Sequence, residues 1–106
     1  MILDKQTALE RIEQDLELYA EICEIFRHDV PQIMDRLKEA LQTGDIPVAT
    51  RHAHSLKSSA ANIGANDLST TAYRTEIAFR ANDIENIQSL IAELELNLSC
   101  VMNALA

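Results

Sequence analysis

Tryptophan is absent from this chain of 106 residues, and phenylalanine and tyrosine supply only two side chains each. A core without large rings must be filled by aliphatic side chains, here Leu, Ile, Ala and a few Met. Glycine and proline are equally scarce, two of each. That leaves little of the turn chemistry that a fold of many short strands requires. Cysteine stops at Cys23 and Cys100. Both fall on apolar stripes, so they read as buried free thiols in a reducing compartment. Basic residues number nine against seventeen acidic ones, a formal charge of −8 with a pI near 4.7. This balance, with no basic run, argues against nucleic acid or an anionic membrane as the partner. No apolar run approaches the ~20 residues of a transmembrane helix, and the opening MILDKQTALERI lacks signal-peptide form. The expectation is one cytoplasmic domain spanning residues 1–106, free or carried by a membrane-bound parent.

What the chain has in quantity is Ala, Leu, Glu and Gln, all strong helix formers. Asp4 offers a cap for a short helix over about 5–13, and Thr7 with Glu10 has the spacing of a capping box. Asp15 caps a second helix. Along it Tyr19, Ile22, Cys23, Phe26, Val30, Ile33, Met34, Leu37 and Leu41 recur at intervals of three and four, one continuous apolar stripe. Pro31 interrupts the backbone donors without shifting the phase, which predicts a kink or brief break near 28–30. Gly44 ends this helix and Asp45 caps a third, which tolerates Pro47 in its first turn and stops at Gly64. Asn66 reads as the cap of a fourth, about 67–81, with Leu68, Ala72, Thr75 and Phe79 inward. Asp83 caps a last one, about 84–104, with Ile84, Ile87, Ile91, Leu94, Leu98, Val101 and Leu105 as a near-heptad stripe. Short connections make sequential helices antiparallel. The fold class is all-α, an up-down four-helix bundle with a short extra N-terminal helix.

The chemistry concentrates in AHSLKSSAANIGA, residues 53–65. On a helical wheel Ala49, Ala53, Leu56, Ala60 and Ile63 form one narrow sector, the core side of the third helix. His54 lies roughly 140° from that sector and faces water. Thr50, Lys57, Ser58 and Ala61 share its side, and no carboxylate stands three or four residues away to pair with the imidazole. His52 and His54 diverge by about 200° and cannot share a metal. Ser55 and Ser58 on a regular helix are not the strained nucleophile of a catalytic triad. His52 flanks the core stripe and reads as half-buried packing. His28 beside Pro31 reads as solvated, as do Glu13, Glu17, Glu21 and Glu24. On residue chemistry alone, an idle surface histidine outranks any function for His54.

The same stretch resembles the signature of histidine-containing phosphotransfer domains, in outline His-x-Leu-Lys-Gly-x-x-x-x-x-Gly. Here it stands as His54, Ser55, Leu56, Lys57, Ser58 and, at the right distance, Gly64. LELYAEICEIF, Pro31, LKEALQTGD, NIGANDL and ANDIENI also follow the family pattern in order along nearly the whole chain. The resemblance implies a phosphorelay carrier in a two-component signalling system. His54 would accept a phosphoryl group from an aspartyl-phosphate on a receiver domain and pass it to another receiver. Lys57 would lie beside the phosphoryl oxygens and offset their charge. The partners implied are receiver domains of response regulators or hybrid histidine kinases, with no nucleic acid and no direct membrane contact.

No acidic cluster or Gly-rich nucleotide loop is legible in the chain. The domain is therefore expected to lack a kinase or nucleotide site of its own, to bind no cofactor or metal, and to rely on Mg²⁺ brought by the receiver. A receiver must approach over His54, so the docking face is expected to hold the short side chains Thr50, Ser58 and Ala61. Leu18 and Ile25, about 100° or more off the buried stripe of the second helix, are weaker candidates. Ser58 departs from the family glycine, which bears on partner tightness and rate. The alternative reading is a non-catalytic helical-bundle interaction module of the same fold; the joint presence of His54 and Lys57 separates the two.

Overall fold

A computed structural model describes residues 2–105 of the chain, and all regular structure among them is helical. Helix α1 is Lys5–Glu10, α2 Leu16–Gln42, α3 Ile46–Asn62, α4 Asn66–Arg80 and α5 Ile84–Leu105. At 1.5 Å per residue the 27 residues of α2 span about 40 Å, which matches the longest dimension of the molecule, 41 Å. Helix α3 packs between α2 and α4, α5 lies along α4, and a lighter contact between α2 and α5 completes the bundle.

Three of the expected caps form. The Asp4, Asp15 and Asp45 carboxylates accept from the backbone N–H groups of Thr7, Leu18 and Val48, satisfying donors that the first turn leaves unpaired. The Thr7–Glu10 capping box does not. Thr7 sits inside α1, and its hydroxyl donates to Asp4 at 2.8 Å. Helix α1 also ends before residue 13, because Glu13 and Gln14 take left-handed backbone angles that turn the chain into α2. Asn66 is the first residue of α4 and not its cap. The cap position belongs to the buried Ala65, which offers no side-chain bond.

Helix α2 runs unbroken through Pro31, so of the kink or brief break expected near 28–30 the break does not form. Proline withholds only the N–H owed to the Arg27 carbonyl, and the flanking turns hold because their apolar stripe is buried without interruption: Tyr19, Cys23, Phe26, Val30, Met34 and Leu37. The inward set of α3 is complete, with Ala49, Ala53, Leu56, Ala60 and Ile63 all sealed from solvent, as are Leu68, Ala72, Thr75 and Phe79 of α4. Ile84 is a correction. It is 66% exposed at the start of α5, and Leu90 takes the inward place instead, with Ile87, Leu94, Leu98 and Val101. Cys23 is buried and Cys100 half-buried, both as free thiols.

The end of α3 is tied down by the N-terminal segment. The Asp4 N–H donates to the Gly64 carbonyl at 2.8 Å, the Tyr19 hydroxyl to the Ile63 carbonyl at 2.8 Å, and Arg11 to the Ala61 carbonyl at 3.3 Å. These partners satisfy carbonyls that a helix C-terminus leaves open. Burial, reinforced by neighbouring Cys23, pushes the Tyr19 phenol up to about 12, so it remains a donor. Gly64 has φ +82°, and a Cβ there would collide with the Asp4 backbone carbonyl. This glycine therefore serves both the turn and the close approach of the N-terminal segment.

Candidate functional site

Helix α3 turns Ala53 and Leu56 into the core, and that phase brings His54 and Lys57 to the side facing α4. The His54 side chain is 57% exposed, in agreement with the wheel. Its setting differs from the sequence reading in one respect. A carboxylate does pair with the imidazole, and it comes from the neighbouring helix. Glu76 Oε1 lies 3.0 Å from His54 Nδ1. The same oxygen is 3.6 Å from Lys57 Nζ, and Oε2 accepts from the Arg80 guanidinium at 3.1 Å. Lys57 also lies over the Tyr73 ring, 5.1 Å from its centroid, which holds the long side chain in place.

The Glu76 side chain is only 7% exposed. Burial works to raise its pKa, but the hydrogen bonds from His54 and Arg80 and the charge of Lys57 outweigh it, and the carboxyl is held below its ordinary value. Glu76 is therefore ionised at neutral pH and can only accept hydrogen bonds. The 3.0 Å contact then requires the proton of neutral His54 to sit on Nδ1. The lone pair is left on Nε2, the ring atom that could then act as a nucleophile. Any positive charge that develops on the ring when Nε2 acquires a substituent falls directly on the carboxylate.

The sequence does contain a signal for Glu76. It falls one turn after Ala72 on the inward face of α4, beside Thr75 and Phe79, and an acidic residue on a buried stripe calls for partners. No spacing rule within one helix could have named His54 as that partner, because the two lie 22 positions apart.

The other expected site residues lie on α3 and α2. Thr50 is half-buried one turn before His54, and its hydroxyl donates to the Ile46 carbonyl at 2.8 Å. Ser58 is exposed one turn after it. Ala61 is half-buried close to the end held by Arg11. Leu18 and Ile25 are exposed on α2, and Ile25 lines a shallow groove with Ser59 and Asn62 of α3. A wider groove of about 590 Å³ opens beside His54 between α3 and the end of α4. His52 is half-buried on the opposite flank. Burial first, then Arg51 and Arg36, lower its pKa. His28 is exposed and paired only with its neighbour Asp29 at 2.9 Å. Among the described residues no group of three His, Cys, Asp or Glu side chains converges as a metal site, and no helix is long and apolar enough to cross a membrane.

The family model described as the Hpt domain matches residues 21–104. The structure is similar to that of histidine-containing phosphotransfer protein B (HptB) from Pseudomonas aeruginosa PAO1. The TM-score is 0.88 at 25% identity, covering 98% of this chain and 90% of that one. It is also similar to the HPT domain of an Hpt sensor hybrid histidine kinase from Shewanella, with a TM-score of 0.85 at 19% identity over 98% and 90% of the two chains. No curated protein sequence matches the chain.

Proposed function

This chain belongs to the Hpt domain family and is a phosphorelay carrier of two-component signalling, and we propose that it carries the phosphoryl group on Nε2 of His54. The observation that supports this reading above all others is the contact between His54 Nδ1 and the ionised, nearly buried Glu76. It leaves an exposed imidazole with one nitrogen held as a donor and the other free to attack.

In this reading Nε2 attacks the phosphorus of an aspartyl-phosphate on a receiver domain. The Nε2–P bond forms as the aspartyl O–P bond breaks, and the aspartate leaves with the electron pair. The ring becomes a phosphoimidazolium whose Nδ1–H still donates to Glu76. Transfer to a second receiver reverses these steps. Lys57 turns from Glu76 toward the phosphoryl oxygens, while Arg80 continues to balance the carboxylate. The receiver supplies Mg²⁺, because the carboxylate nearest to His54 is already engaged by His54, Lys57 and Arg80. The chain contributes the acceptor and no kinase chemistry of its own. It works in the cytoplasm, alone or as a domain of a membrane-bound sensor kinase. Receivers dock over Thr50, Ser58 and Ala61, with Leu18 and Ile25 at the α2 edge.

The test is labelling from phosphorylated receiver domains, with the product scored as acid-labile and base-stable. His54→Gln is expected to abolish the label while melting and helicity stay near wild type. His52→Gln and His28→Gln are expected to remain labelled. Label retained on His54→Gln would overturn the assignment.

A further inference from the structure

The chain carries eight net negative charges, yet three basic side chains, Arg51, Lys57 and Arg80, stand near His54. Lys57 and Arg80 reach the imidazole through Glu76, and Arg51 stands three residues before His54 on α3. Lys57 and Arg80 share the single negative charge of Glu76. Arg51 is exposed and makes no ion pair among the described residues. It rims the groove beside His54, whose apolar part is formed by the half-buried Ile46 and the exposed Pro47 above the buried Phe79, and whose other charged edge is Arg80. Among the described residues that line this groove none is acidic. An uncompensated guanidinium at the mouth of an apolar groove, on a chain of opposite overall charge, presents a local positive field beside the reactive nitrogen.

From this juxtaposition we infer that the α3–α4 groove is part of the receiver-docking surface. It takes an acidic side chain of the receiver on Arg51, with an adjoining apolar side chain over Ile46 and Pro47. The groove is continuous with His54 and lies on the α4 side of it. It therefore extends the footprint beyond the α2 edge marked by Leu18 and Ile25. Charge complementarity at such a rim acts mainly on encounter and on discrimination between partners. Arg51 accordingly sets which receiver is selected and how readily it binds, and the bond-making step remains with His54. The inference rests on the reading of His54 as the phosphoryl acceptor.

The experiment uses a phosphorylated receiver domain chosen because it labels the wild-type chain. The chosen receiver is titrated against wild type, Arg51→Glu and Arg36→Glu, and the KM and kcat of transfer are separated. Arg36 is exposed on α2 beside His52, away from the groove, and its variant makes the same change in net charge. Arg51→Glu is expected to raise KM on the order of tenfold in low salt with kcat nearly unchanged, and the effect should shrink in about 0.5 M salt. Arg36→Glu is expected to behave as wild type, and circular dichroism of both variants should be unaltered. Equal KM for Arg51→Glu and wild type would overturn the inference, as would an equal rise for Arg36→Glu, which would mark a general charge effect. Either result leaves the acceptor role of His54 standing. Label that persists on His54→Gln, or no receiver that labels the wild type, would instead remove the reading on which the inference rests.

Discussion

Glu76 offers the sharpest test of how the site works, because two substitutions separate its charge from its hydrogen bond. Glu76→Gln keeps an acceptor for His54 Nδ1 but removes the negative charge. Glu76→Leu removes both and fills the space with an apolar side chain, a replacement that buried ionic groups often tolerate without loss of fold. A charge-assisted hydrogen bond contributes about 1.5–3 kcal/mol. If Glu76 stabilises the imidazolium that forms as Nε2 is phosphorylated, its loss should slow transfer to Glu76→Leu roughly 10- to 150-fold. Glu76→Gln should fall between the two, since it still orients the ring. Single-turnover transfer from a fixed phospho-receiver measures this, with urea unfolding of each variant alongside.

The same residue predicts a pH dependence of stability. The folded pKa of Glu76 lies below its ordinary 4.5. Its contribution is therefore fully present above about pH 4.5 and is lost as pH falls through the folded value. The stability difference between wild type and Glu76→Gln should be about 1 kcal/mol at neutral pH. The modest figure reflects the more than half-exposed His54 and Arg80, which water can solvate when the charge is gone. The difference should vanish in acid. A folded Glu76→Leu that transfers at the wild-type rate would refute the role given to this carboxylate. A stability difference that does not change between pH 7 and pH 3 would refute the electrostatic account.

Other outcomes follow from the same structure. Leu56 is fully buried, so Leu56→Ala should lower stability by about 2–5 kcal/mol in urea unfolding; Lys57→Ala should leave stability nearly intact but shorten the lifetime of the phosphohistidine. Gly64→Ala meets both a left-handed backbone and the Asp4 carbonyl, and should destabilise by about 2–4 kcal/mol. Gly44→Ala has open space around it and should cost only about 1–2 kcal/mol for its backbone angle. Ser58→Gly should keep or speed transfer, whereas Ser58→Leu and Ala61→Arg should block it with circular dichroism unchanged. Full-speed transfer by both blocking variants would show that receivers do not dock over this face.

The sequence by itself determined the helices and their phase. Apolar residues at three- and four-residue intervals can be buried only one way on a helix. Tyr19 through Leu37 and Ala49 through Ile63 therefore announced their inward faces, and with them the outward direction of His54. The carboxylate caps at Asp4, Asp15 and Asp45 were legible for the same local reason, because a cap and the N–H it satisfies lie within three residues. Where local rules competed, neighbours decided. The Pro31 break was overridden by burial on both sides of it, and Ile84 lost its inward place to Leu90. What only the tertiary structure decided was the company His54 keeps. The packing of α4 on α3 sets Glu76 against the imidazole, fixes the proton on Nδ1, and draws Lys57 and Arg80 to one carboxylate. Those contacts join residues far apart in the chain, and their distances follow from how two helices pack, which the spacing within either helix does not contain.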